Sequence, residues 1–332
     1  MWQVKGQDRA LALLDHALKE HSVAHAYLLV GPPHVGKRTL ALDLSCALNC
    51  DNPEPPCGEC RSCRRIAEGK HADVITLGLH SKTEIGIDDI RGLQHLAHLP
   101  PYEGSHKVFI IEDAEYMSTE AANSLLKILE EPPPQVVWLL LAVEAARLLP
   151  TVTSRCQRLE LRPMARPLIE STLTATHGVQ PDRAEFLARL SDGCLGWALS
   201  AMSDDSLLDR RSREIDRLSS LLTAGFDQRF TFARELAAQF GQNRRAAMET
   251  MTTWLAWWRD LLLVAAGCKS AIISVDYEHA LEGEAKGLSL GTIRDVIAGL
   301  YLAKEQIYRN VNPRLVFEAL MLDMPRLKTS NH

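Results

Sequence analysis

Long apolar runs are missing from this chain. The most apolar stretch, Trp254 to Gly267, is too short to cross a bilayer and carries Arg259 and Asp260, so it reads as a buried helix. An excess of positive charge is missing as well. A formal net charge of -5 argues against a general basic sheath for nucleic acid, so any such contact has to come from a local patch. Arg61, Arg64, Arg65, Lys70 and His71 form one candidate, and a solvated face is the other reading of that run. Met1 to Arg9 show no apolar segment followed by small residues at a cleavage site, which leads us to expect no secretory leader and a cytoplasmic setting. There is no internal repeat and no low-complexity tract. His16, His21, His25, His80, His95, His98 and His106 share no spacing that would mark a metal site.

What is present begins with four cysteines. Cys50, Cys57, Cys60 and Cys63 follow the spacing C-x6-C-x2-C-x2-C, and four thiolates that close in sequence can surround one zinc ion. Between them, Asp51 to Pro56 and Gly58 show no hydrophobic period, so something other than an apolar core has to hold the segment. A structural zinc would do so. Ordinary buried thiols or disulfides are the alternative, whereas a four-sulfur shell leaves no open position for catalytic water. Cys46, Cys156, Cys194 and Cys268 are scattered and read as small buried hydrophobes of a reducing compartment.

The chain has two textures. Leu11, Leu14 and Leu18 share one side of an opening helix, and Ala26 to Val30 form a continuous apolar run suited to a strand buried on both faces. Lys107 to Ile111 and Val136 to Leu141 are further runs of this kind, alternating with helical periods, which predicts a mostly parallel sheet covered by helices on both faces. Past Pro163 only helical periods remain. Trp254, Trp257 and Trp258 then read as one packed core face rather than as platforms for nucleobases.

The first strand runs into Gly31-Pro32-Pro33-His34-Val35-Gly36-Lys37-Arg38-Thr39 and then a helix, the context of a phosphate-binding loop for ATP. Its glycines let backbone N–H groups wrap phosphate oxygens, and Lys37 can reach the terminal phosphates. The residue after the lysine should be Ser or Thr to ligate magnesium, yet it is Arg38. Thr39 does not substitute simply, because adjacent helix positions point roughly 100° apart. The second acidic centre is reordered too. Glu112-Asp113 follows the strand, where a metal-binding Asp and then a water-polarising Glu are usual; the alternative reading is two solvated acids at a strand end.

These residues carry a family resemblance. Asn123-Ser124-Leu125-Leu126-Lys127-Ile128-Leu129-Glu130-Glu131-Pro132-Pro133 looks like the N-x-L-L-K-x-L-E-E-P-P segment of clamp-loader AAA+ proteins, and Ser154-Arg155-Cys156 resembles their S-R-C motif. The four-cysteine insertion is similar to that of the bacterial gamma/tau and delta-prime branches, and Asn312 to Leu320 is like the delta-prime ending. The resemblance implies a RecA-like AAA+ α/β core over residues 1–163 with a zinc module at 50–63, an all-α lid over 164–205 and an all-α collar over 206–332. It also implies a place in the DNA polymerase III holoenzyme beside gamma/tau and delta subunits, acting on a sliding clamp and primed DNA. Val4 and Gln7 fall where the family builds its adenine pocket.

The departures bear on which branch is meant. Besides Arg38 and Glu112-Asp113, Val143-Glu144 stands where a polar sensor is usual, and Gly196 stands where the family has an arginine. Such a site is expected in a non-catalytic delta-prime-like stator, with Arg155 retained as an arginine finger for a neighbour. A surface arginine is the bland reading of Arg155. An active gamma/tau-type ATPase and a stand-alone zinc ATPase that binds nucleic acid are the competing readings.

Overall fold

A computed structural model describes residues 2–79 and 82–327, and His80 therefore lies outside the described residues. The chain divides into two compact units, 1–168 with 193–197, and 169–192 with 198–332.

The first unit is built on five parallel strands, β1 (Ala26–Val30), β2 (Val74–Leu77), β3 (Lys107–Ile111), β4 (Val136–Ala142) and β5 (Gln157–Glu160), in the order β2-β3-β4-β1-β5. Six helices accompany them: α1 (Asp8–Lys19), α2 (Lys37–Leu48), α3 (Arg61–Ala67), α4 (Ile87–Ala97), α5 (Thr119–Glu130) and α6 (Pro150–Thr153). Every residue of β1, β3 and β4 is buried, so both faces of the sheet centre are covered, as their unbroken apolar runs require. One face packs Tyr27, Leu29, Val108, Ile110, Val137 and Leu139 with Leu14 of α1 and Leu40 and Leu44 of α2. On the other, the rings of Phe109 and Trp138 stack at 4.5 Å. The two edge strands were not legible in the sequence. β2 is only half-buried and β5 exposes three of its four residues, so neither has a continuous apolar run.

The remaining helices are α7 (Arg166–His177), α8 (Pro181–Leu190), α9 (Leu195–Ser203), α10 (Ser206–Thr223), α11 (Phe226–Gln242), α12 (Arg244–Ala265), α13 (Glu278–Ala285), α14 (Leu290–Tyr308) and α15 (Pro313–Asp323). No strand is found past β5 among the described residues. Trp254, Trp257 and Trp258 are fully buried in the core of the second unit, with Trp254 stacked on Phe232 at 5.4 Å and Trp257 edge-on to Tyr277 at 5.7 Å. Cys268 departs from expectation. It is exposed, because it sits in the turn that ends α12 after Gly267, whose φ of +80° lets the Cys268 N–H return to the Leu263 carbonyl at 2.8 Å.

Arg229 explains how the end of the second unit is fixed. Only 2 % exposed, it donates to the carbonyls of Leu221, Met321, Met324 and Pro325 at 3.0, 3.3, 2.6 and 2.7 Å, joining α11 to the ends of α10 and α15. The helix C-termini supply the negative end of their dipoles, which stabilises a buried cation. Arg229→Met retains much of the volume but removes all four bonds, and is expected to lower stability by about 3 kcal/mol in urea denaturation. Arg229→Lys should recover only part of that loss, since an ammonium cannot span four acceptors as the guanidinium does.

Candidate functional site

Parallel pairing brings three chain exits to one edge of the sheet. Val30 pairs with Ala142 and Ile111 with Leu140, so Gly31, Glu112 and Val143 all leave at the carboxyl ends of neighbouring strands, where open α/β sheets bind ligands. Gly31 donates to the Ala142 carbonyl at 3.2 Å, and a Cβ there would come within 2.5 Å of the Leu161 carbonyl oxygen. Gly36 caps α2 with a φ of 107°, and His34 has a φ of 61°. The loop thus follows the curve that phosphate-binding loops take, with Val35 buried beneath it and Pro33 and His34 exposed.

The charged groups are engaged with one another. Lys37 Nζ donates to the loop's own carbonyls, Gly31 at 2.5 Å and Pro32 at 2.9 Å. Arg38 Nε donates to Glu112 Oε1 at 2.7 Å, with Arg38 well exposed and Glu112 half-buried. Thr39 lies one position further into α2. Asp113 takes a left-handed conformation, φ 54°, opening a tight turn in which its carbonyl accepts from the Tyr116 N–H at 2.9 Å.

Glu115 belongs to this site and was missed from the sequence. Its Oε1 accepts from the Val143 N–H at 3.1 Å, while Oε2 is closed off from solvent without a hydrogen-bond partner. Burial raises its carboxyl above the usual range, the Asp113 charge adds to that, and Lys37 opposes it. An acid in the otherwise apolar turn after Glu112-Asp113 was the one available signal. Gly196 is packed against the loop. Its N–H donates to the His34 carbonyl at 3.0 Å, and a Cβ would meet that oxygen at 2.6 Å, so the phosphate loop itself fills the space. Gln7 is spent on structure, its amide bonding the Arg162 carbonyl at 2.8 Å and N–H at 3.0 Å, and Val4 is buried beside Gly36.

Arg155 lies between α6 and β5, away from the loop in sequence. Its Nη2 pairs with Glu130 Oε1 at 2.5 Å, and its Nη1 donates to the Thr151 carbonyl at 3.0 Å and to Ser154 Oγ at 3.4 Å. The Arg155 side chain remains 35 % exposed.

The four cysteines form a second centre. The Sγ atoms of Cys50, Cys57, Cys60 and Cys63 lie within 4.8 Å of one another, and all are free thiols. Cys57 and Cys63 sulfurs stand 4.0 Å apart, too far for a disulfide and close to the roughly 3.8 Å edge of a tetrahedron with Zn–S bonds of about 2.3 Å. Backbone N–H groups point at sulfur, Cys60 to Cys57 Sγ at 3.3 Å and Cys63 to Cys60 Sγ at 3.4 Å. The cysteines are thus positioned to hold a metal ion, and a set of sulfur donors suits zinc. His71 is buried outside this shell, its Nδ1 accepting from the Asp73 N–H at 3.2 Å. The basic run nearby is largely paired: Arg65 bonds the Lys70 carbonyl and approaches Glu103, and Lys70 pairs with Glu68.

Metal analysis is expected to find about one equivalent per chain, with Cys60→Ala lowering both metal content and melting temperature. Without metal, the N–H groups of Cys60 and then Glu59 bring the Cys57 thiol down to about 6, whereas burial pushes Cys63 up. At pH 7 Cys57 is therefore the thiolate, and chelated protein should be alkylated there before Cys63. Bound metal should protect both.

Comparison with known proteins finds subunits of DNA polymerase III. A family model described as DNA polymerase III, delta subunit, matches residues 6–165. The DNA polymerase III subunit delta' of Bacillus subtilis is 29 % identical over 321 residues, 95 % of each chain. Subunit tau of Escherichia coli is 28 % identical over 336 residues, 98 % of this chain but 50 % of that one, so this chain spans about half of that tau's length. Subunit delta' of Pseudomonas aeruginosa is 39 % identical over 174 residues, 51 % of this chain and 53 % of the relative. Among solved structures, a DNA polymerase III gamma subunit-related protein of Thermotoga maritima aligns over 93 % of this chain and 97 % of its own at 19 % identity, with a TM-score of 0.43. With its parallel α/β core and its mostly helical C-terminal region, the chain is similar over nearly its whole length to the delta' and gamma/tau subunits of DNA polymerase III.

Proposed function

We propose that this chain is a delta-prime-like clamp-loader subunit that no longer turns over ATP and instead supplies Arg155 to a neighbour's ATP. The observation that carries the first half is the Arg38–Glu112 pair at 2.7 Å. Where an active site holds a divalent ion between a hydroxyl and an acid, this chain holds a fixed guanidinium on the acid. As a partly exposed pair it contributes no more than about 1 kcal/mol to stability. Its larger effect is chemical: a magnesium ion would meet a resident positive charge and an acid already engaged.

Two other features point the same way. Asp113 offers a carboxylate one methylene shorter than the usual base, and Gly196 presents backbone where the family has an arginine. No phosphate sensor can be restored at 196 without moving the loop, because any Cβ strikes the His34 carbonyl.

The remaining assignments follow from the family. The chain would act in the cytoplasm within the DNA polymerase III holoenzyme, beside gamma/tau and delta subunits, as part of a ring that places a sliding clamp on primed DNA. Residues 164–205 would be the lid, 206–332 the collar that joins the ring, and the four cysteines would hold a structural zinc. An active gamma/tau-type ATPase is the second reading, favoured by the retained Gly31, Gly36 and Lys37. In it, Arg38 would swing off Glu112 when magnesium-ATP arrives.

The isolated chain is expected to hydrolyse ATP at background rate, and magnesium should not tighten nucleotide binding in a titration. Turnover that Lys37→Ala abolishes would move the assignment to the gamma/tau type. In the assembled complex, Arg155→Ala should leave assembly and metal content intact yet depress hydrolysis at the adjoining site by roughly 10³-fold or more. Arg155→Lys should restore only part, because a point charge lacks the planar fork.

A further inference from the structure

Arg155 is not idle in the unassembled chain. Both terminal nitrogens of its guanidinium are in use, one on the Glu130 carboxylate and the other on the Thr151 carbonyl and the Ser154 hydroxyl. Of these acceptors only Glu130 is charged. It is also the one that resembles a phosphate, since carboxylate and phosphate oxygens compete for the same N–H donors.

The position of Glu130 is informative. It is the last residue of α5, where the helix dipole ends in partial negative charge and an acid is disfavoured. Glu130 is also half-exposed, so the core gives no reason for a carboxylate there. Its visible partner is Arg155, reached across 25 residues of sequence.

We propose that Glu130 is a charge latch for Arg155: its carboxylate holds the guanidinium in the free chain, and an ATP phosphate on a neighbouring subunit displaces it. Glu130 is then a positioning residue acting through Arg155, and this rests on reading Arg155 as a donor in trans. The neutral acceptors Thr151 and Ser154 keep the side chain aimed while the charged one is exchanged. An exposed ion pair is worth about 0.2–1 kcal/mol, so the latch is weak enough to open and shifts an equilibrium by at most about five-fold. Because the latch is released when ATP arrives, its cost is present equally in the ground state and the transition state. It belongs in KM rather than kcat.

The test uses the complete complex, with the other ATP sites silenced by substitution of their phosphate-loop lysines, and reads steady-state hydrolysis at the site adjoining Arg155. Glu130→Gln keeps the acceptor oxygen and the volume while removing the charge. It is expected to lower KM for ATP by roughly two- to five-fold at unchanged kcat. In an Arg155→Ala background the same substitution should change nothing. An unchanged or raised KM in Glu130→Gln overturns the latch, as does a fall in KM that persists without Arg155. If Arg155→Ala alone leaves hydrolysis normal, the donor reading fails and the latch with it. A depressed rate in Arg155→Ala combined with an unaltered KM in Glu130→Gln removes the latch and leaves the donor reading standing.

Discussion

The burial of β1, β4 and β3 on both faces is the constraint from which the rest of the first unit follows. Strands with no solvated face must spend every backbone group on their neighbours, so the chain can turn polar only where it leaves the sheet. Parallel pairing places those departures side by side. The phosphate loop, the acidic pair and the segment after β4 converge because Val30, Ile111 and Ala142 lie at one edge, without any need for those loops to recognise one another. Geometry of this kind does not depend on a bound ligand. Gly31 is required by the Leu161 carbonyl and Gly36 by its left-handed backbone beside Val4, whether or not a phosphate is ever bound.

Within that frame the charged groups are engaged by the chain itself. Lys37 turns to loop carbonyls, Arg38 to Glu112, and Glu115 faces Val143 with one oxygen sealed from water. In an active site these groups would await a phosphate and a metal. Here the cations are already met by acceptors from the same chain, and the carboxyl of Glu115 is pushed toward its neutral form by burial. The site is internally balanced, which lowers the electrostatic gain available to an incoming nucleotide.

How much of this was legible in the sequence depended on range. The central strands announced themselves because full burial demands unbroken apolar runs, and the cysteine centre because its ligands fall within one short segment. The edge strands did not, since β5 exposes three of its four residues and leaves no hydrophobic signature. Cys268 misled for the same reason in reverse: a cysteine in a turn after a helix carries no local sign of its exposure. The identities of Arg38, Glu112, Glu130 and Arg155 were all plain, but their pairings were not. Arg38 meets Glu112 across 74 residues, and only strand order brings them together.

The contrast between the two arginines shows why exposure and partner decide what a charge can do. Arg38 and Arg155 each hold one carboxylate at short range, and each pair is too open to matter much for stability. Glu112, however, lies at the carboxyl end of β3, beside the loop that precedes α2, and the Arg38 guanidinium engages it there. Glu130 lies at the end of α5, on the far side of the motif from that loop in sequence, and its guanidinium keeps neutral acceptors that survive when the carboxylate is exchanged. One pair therefore occupies an acid at the carboxyl end of β3, while the other leaves its arginine with acceptors of both kinds at a partly exposed position. Two ion pairs of similar geometry can in this way differ in what each leaves open, because the acceptors around each guanidinium differ.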